Sequence, residues 1–178
     1  MIKSNNKSIG ILGGSFDPPH KGHLKISQIA FKKLNLKKIY WVVTKKNPFK
    51  KKTFFSLQER IEKCLAMTKK IRKIQIDYLD DKIKSSRTIK VLKYFRKKNK
   101  NTKIYLVIGS DTLINFHKWT KWKDILQICE LVVFSRKGFD KKGRKSVIMK
   151  HLGIENTVFI KKNRIDISSS KLRRNYLK

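Results

Sequence analysis

Short runs of β-branched and aromatic residues alternate along this chain with longer stretches whose apolar positions recur at helical spacing. Ser8–Leu12, Ile39–Thr44, Ile104–Ile108 and Leu131–Ser135 are nearly continuous apolar runs of strand length. Strands of that kind suit the middle of a parallel sheet, where both faces are covered and no polar side is needed. Ile74–Tyr78 and Thr157–Ile160 read as weaker strands. Helical patterns lie between them, at Gly22–Leu34, Ser56–Lys69, Ser86–Lys98 and Lys123–Ile128. In the third of these, Ile89, Leu92 and Phe95 fall on one face, which would turn toward the sheet. The alternation predicts an α/β fold: a Rossmann-like, doubly wound parallel sheet in a single domain spanning 1–178. Lys45–Lys52 and Lys137–Lys145 are charged stretches that read as loops and as the most mobile segments.

Composition changes this picture only in part. Lys and Arg total 46 against 12 Asp and Glu, a formal net charge of +34. Such a charge raises the prospect of nucleic-acid binding. The bases, however, are 37 Lys and 9 Arg spread along the whole chain rather than gathered in a tail or stripe. They read as a solvated basic surface that draws acidic small molecules at long range, and nucleic-acid binding is not expected. Cys64 and Cys129 stand apart inside apolar stretches and match neither a disulfide framework nor a CxxC metal site. A reducing, cytoplasmic setting is expected. No stretch approaches the ~20 apolar residues of a membrane span, so no membrane partner is expected.

The chemistry concentrates in GGSFDPPHKGHL, residues 13–24. Two glycines follow the first strand, then a Pro-Pro turn, then a helix. Glycine lets the backbone come close to a phosphate, and the opening helix offers free N–H groups and a positive dipole end. His20 and His23 flank Gly22 three residues apart, which puts both imidazoles on one side of the first turn. Both could then donate to a phosphate as negative charge builds on it. No third ligand at metal spacing accompanies them, so no protein metal site is expected. At the other end, Ser168–Ser170 with Arg173 reads as a helix N-terminus with free hydroxyls and a forked guanidinium one turn on.

The segment GGSFDPPHKGHL resembles the signature of the HxGH nucleotidyltransferase superfamily. DISSSKLRR is similar to its ISSTxxR element, with Ser170 where threonine is common. Between them, GSDTLINFHKWTKW resembles the G-x-D and FHxWxxW stretch of bacterial nicotinate mononucleotide adenylyltransferases. SRTIKVL and NPFKKKTFFSLQERI, the latter carrying Arg60, are similar to further segments of that family. Family members commonly continue beyond the ISSTxxR helix, and this sequence ends at Lys178.

The resemblance implies ATP and nicotinate mononucleotide as substrates, with Mg²⁺ accompanying ATP. It implies His20 and His23 as catalytic groups. Gly13, Gly14, Ser15, Phe16, Gly109, Asp111, Ser169, Ser170 and Arg173 would bind ATP. Asp17, Lys50, Thr88, Trp119 and Arg136 would bind the second substrate, with Trp119 offering a flat face to the pyridine ring. Rivals are a nicotinamide mononucleotide or phosphopantetheine adenylyltransferase, and, in another class, a basic nucleic-acid-binding protein. Phosphopantetheine adenylyltransferases typically carry threonine where this chain has His20.

Overall fold

The computed structural model describes residues 8–45, 53–153, 157–161 and 168–176. Six parallel strands form one sheet in the order β3-β2-β1-β4-β5-β6. They are β1 (Ser8–Gly14), β2 (Leu36–Val43), β3 (Ile74–Tyr78), β4 (Lys103–Gly109), β5 (Glu130–Phe134) and β6 (Val158–Ile160). All six strands expected from the apolar runs are present, Ile74–Tyr78 with the expected bounds and the others with ends shifted by at most three residues. Helices α1 (Lys21–Leu34), α2 (Leu57–Thr68), α3 (Thr88–Lys98) and α5 (Trp122–Ile128) correspond to the four helical patterns. Shorter helices α4 (Ser110–Ile114), α6 (Asp140–Arg144) and α7 (Val147–Leu152), and a terminal α8 (Ser169–Tyr176), complete the set.

The near-continuous apolar strands are explained by two cores, one on each face. Successive residues point to opposite sides of the sheet. Ile9, Ile11, Ile104, Leu106, Leu131 and Val133 therefore enter one core with Leu92 and Phe95 of α3. Leu12, Trp41, Val43, Tyr105, Val107 and Val132 enter the other, covered by Leu24 and Ile29 of α1 and Leu57 and Ile61 of α2. Cys64 and Cys129 are buried, unpaired and core-forming as expected; burial pushes both thiols up to about 12. The start of α2 is secured by a reciprocal cap, in which Glu59 N–H donates to Ser56 Oγ and Ser56 N–H to Glu59 Oε2.

The chain order reverses between β1 and β4. β1 stays paired with β2 as far as Gly14↔Val43, and β4 with β5 as far as Gly109↔Phe134. The β1–β4 pairing already stops at Ile11↔Leu106. The two central strands thus splay over their last three residues and open a crevice at their carboxyl ends, the place where open α/β sheets bind ligands. One expectation fails here. Lys137–Lys145 is not a loose charged loop, because it contains α6, which seats Gly143 against the carbonyl of Ser110. Lys45 ends the described part of the other charged stretch; 46–52 lie outside the described residues. No helix among the described residues is long and apolar enough to cross a membrane.

Candidate active site

The Gly13–His20 loop leaves β1 at the splayed end. A Cβ at Gly13 would stand in open space, with nothing within 4 Å, so the backbone there is open to close approach by a ligand. Gly14 closes the strand, and its carbonyl accepts from Thr44 N–H at 3.0 Å. Phe16 takes a left-handed backbone conformation, φ 46°, which turns its ring inward onto Trp41, stacked with centroids 5.2 Å apart. Its ring also meets His23 at 4.8 Å, and His20 and His23 lie 3.8 Å apart. The two imidazoles therefore share one side of the helix start, as their spacing predicts.

Their protonation follows from the surroundings. His20 N–H donates to His23 Nδ1 at 3.1 Å. A neutral His23 must then carry its proton on Nε2. Behind it, Ser27 Oγ donates to the His23 carbonyl and accepts from Trp41 Nε1, so the first turn of α1 is tied to β2. His20 is buried, and its Nδ1 has no hydrogen-bond partner. Burial first, and then the positive charge of Arg136, hold its pKa down at about 4. At neutral pH it is an uncharged imidazole with one N–H to give.

What holds the loop is Arg60, buried on α2 with 1% exposure. Its Nη1 donates to Ser15 O at 2.6 Å and to Thr44 O at 2.8 Å. Nε reaches Phe55 O and Ser56 O, and Nη2 reaches Lys45 O. One guanidinium thus bolts the end of β1 to the end of β2 and to the entry of α2. Asp80, after β3, adds to this by accepting from Thr44 Oγ1 and Lys45 N–H. Neither residue stands out in the sequence as a site residue. Beyond the family-like segment that carries it, the signal for Arg60 is an arginine on the apolar face of α2, four residues before the buried Cys64.

Asp17 lies inside the protein. Expected to contact substrate, its side chain is 1% exposed and saturated by the main-chain N–H groups of Phe54 and Phe55, both at 2.9 Å, and by Arg173. Partners 37 and 38 residues away thus satisfy the carboxylate inside the protein. Arg173 Nη1 also donates to the Asp17 carbonyl at 2.6 Å, across a cis Asp17–Pro18 bond, and Ser169 Oγ donates to Pro18 O at 2.9 Å. Arg173 Nη2 reaches the exposed Ser170 Oγ. The two motifs from opposite ends of the chain therefore meet, α8 being laid against the loop that leads into the histidines.

The other wall comes from β4 and β5. Gly109 precedes α4, and Asp111 lies in that helix's first turn, paired with Arg136 beyond β5. Asp111 Oδ1 is buried and has no hydrogen-bond partner. Trp119, half-buried, lies stacked on Phe116 at 4.8 Å and packs on the core, while Trp122 meets His151 edge-on. Thr88 begins α3, which follows β3 and so starts at the same end of the sheet. Lys50 lies outside the described residues. Among the described residues no group of three His, Cys, Asp or Glu side chains is arranged to hold a metal.

Comparison with known proteins identifies a family and a shared fold. The cytidylyltransferase-like family model matches residues 11–175. A probable nicotinate-nucleotide adenylyltransferase of Pelagibacter ubique (strain HTCC1062) is 43% identical over 98% of this chain and 99% of its own length. One from Aquifex aeolicus (strain VF5) is 32% identical over 90% of this chain and 98% of its own. The fold is shared with the Plasmodium falciparum nicotinic acid mononucleotide adenylyltransferase complexed with NaAD, at a TM-score of 0.73 and 22% identity, covering 94% of this chain and 83% of that one.

Proposed function

The chain belongs to the cytidylyltransferase-like family, among its nicotinate-nucleotide adenylyltransferases, and from that premise we propose how its residues perform the transfer. The reaction joins the AMP part of ATP to the phosphate of nicotinate mononucleotide, giving deamido-NAD and pyrophosphate. The observation that carries the residue assignment is the meeting of Ser169 and Arg173 with the Asp17–Pro18 backbone, directly before the paired histidines.

An oxygen of the mononucleotide phosphate attacks the α-phosphorus of ATP, and the bond from that phosphorus to the bridging β-oxygen breaks. The electron pair leaves with pyrophosphate. The attacking oxygen is already ionised at neutral pH, so no general base is needed and catalysis rests on positioning and charge stabilisation. His20 and His23 supply N–H donors to the oxygens that gain charge at the α-phosphorus. His20 does so as a neutral group, since its pKa lies near 4 in the free protein. Approaching phosphates raise that value and strengthen the contact as charge develops. Ser170, Arg173 and the backbone of Gly13, Gly14, Ser15 and Phe16 take the triphosphate, and the unpartnered Oδ1 of Asp111 is free to accept from a hydroxyl of the nucleotide.

Asp111 releases Arg136 to a substrate phosphate, while Trp119 and Thr88 serve the pyridine end. Mg²⁺ arriving with ATP would neutralise phosphate charge, with phosphate oxygens and water as its ligands. We place the reaction in the cytoplasm, in keeping with two buried thiols that are not paired.

The test supplies ATP and Mg²⁺ with nicotinate mononucleotide, nicotinamide mononucleotide or phosphopantetheine and follows pyrophosphate release. Fastest release with nicotinate mononucleotide is expected. Release only with phosphopantetheine, or with none of the three, overturns the reading.

A further inference from the structure

Arg136 is delivered to the crevice by a network that the reaction itself does not explain. Its main-chain N–H donates to Asp140 Oδ1 at 2.9 Å and to Ser110 Oγ at 3.0 Å. Ser110 Oγ in turn donates to Asp140 Oδ1 at 2.8 Å, and Ser135 Oγ donates to Asp140 Oδ2. Ser110 follows β4 and Ser135 follows β5, and both are buried. A single carboxylate therefore ties the ends of two strands to the backbone of the arginine. It reaches both because α6 approaches α4 closely: a Cβ at Gly143 would stand 3.0 Å from Ser110 O, a spacing only glycine leaves comfortable.

The side chain of Arg136 is held differently. Its ion pair with Asp111 is 32% and 26% exposed on the two sides, so solvent screens it and a phosphate can take the guanidinium over. The main-chain anchor does not exchange in this way, because all its parts belong to the protein. We propose that Asp140 is a positioning residue for the transfer, one that holds the backbone of Arg136 so that its guanidinium meets the phosphate of the mononucleotide. This rests on the reading of Arg136 as a substrate contact. In the sequence Asp140 is the only acid between Lys137 and Lys145, among five Lys and Arg, which is the signal that could have singled it out.

Asp140→Ala and Asp140→Asn are compared in the wild-type and Arg136→Ala backgrounds, with KM and kcat measured for each nucleotide. Losing the anchor is expected to raise KM for nicotinate mononucleotide about 10-fold in Asp140→Ala, the scale of one or two buried hydrogen bonds. The KM for ATP and kcat should change by less than about 3-fold. Asp140→Asn keeps Oδ1 as acceptor and should recover most of the loss; it also serves if the alanine variant fails to fold. In the Arg136→Ala background the same substitutions should cost nothing further.

Additive losses in the double variant, or an equal effect on both nucleotides, overturn the proposal. Hydrogen exchange at the Arg136 amide gives a readout without turnover: it should speed up in Asp140→Ala, and unchanged protection overturns the anchor. If the wild type prefers another mononucleotide, the assigned substrate changes, and the same cycle on that substrate decides the role of Asp140.

Discussion

Replacing Arg60 by Met keeps most of the buried stem and deletes every donor, which isolates the polar contribution of one side chain. Five carbonyls lose a partner, but not equally. Ser15 O and Thr44 O accept at 2.6 and 2.8 Å, whereas Phe55 O, Ser56 O and Lys45 O sit at 3.2 to 3.3 Å. The first two dominate. A hydrogen bond to a charged donor contributes about 1.5–3 kcal/mol net, and a buried acceptor left unmet costs a similar amount. Against this, the variant no longer buries a cation, a saving of several kcal/mol in the folded state. That saving is limited, because the guanidinium already donates to five carbonyls.

The balance is a loss of about 3 kcal/mol, which for a chain of this size is a drop in Tm of about 6–12 °C. Arg60→Lys should fall between, since an ammonium can reach one or two of the carbonyls but not span from Ser15 to Lys45. Urea unfolding at pH 7 measures the effect, with an unchanged m-value confirming that the same structure unfolds. A stability for Arg60→Met within about 1 kcal/mol of wild type would refute the idea that the guanidinium holds the loop.

The remaining expectations concern the histidines. His23→Ala should lower kcat by about 10²–10³, the scale of one lost oxyanion donor; because it also strips the acceptor from His20 N–H, stability should fall by about 1 kcal/mol. Near-normal turnover in steady-state assays would remove His23 from the chemistry. The depressed pKa of His20 makes stability depend on acid: between the ordinary value of 6.5 and about 4 the unfolded chain binds a proton that the folded one refuses. Stability is therefore full above pH 6.5 and is lost as pH falls toward 4, by at most roughly 3 kcal/mol. Urea midpoints at pH 7 and 4.5 should diverge more in wild type than in His20→Gln, and parallel changes in the two proteins would contradict the burial argument.

Much of this protein is legible in its sequence because the signals are local. Apolar runs with no polar face require a sheet covered on both sides, and helical spacing requires crossover helices, so the doubly wound architecture follows from neighbour-to-neighbour patterns. The same holds for His20 and His23, whose three-residue spacing on one turn brings their rings to 3.8 Å. What the tertiary structure alone decided involves partners far apart in the chain. Asp17 becomes an internal acceptor only because Phe54, Phe55 and Arg173 fold onto it.

Arg60 becomes a bolt only because β1 and β2 end side by side. Asp140 turns a charged stretch into the floor beneath Arg136 only because β4 and β5 deliver Ser110 and Ser135 to one point. A side chain's local sequence says which bonds it can make; which of them it does make depends on which distant backbone the sheet order brings within 3 Å. The crevice itself is of this second kind. It opens where the β1–β4 pairing stops at Ile11↔Leu106, a register that depends on the packing of both cores at once.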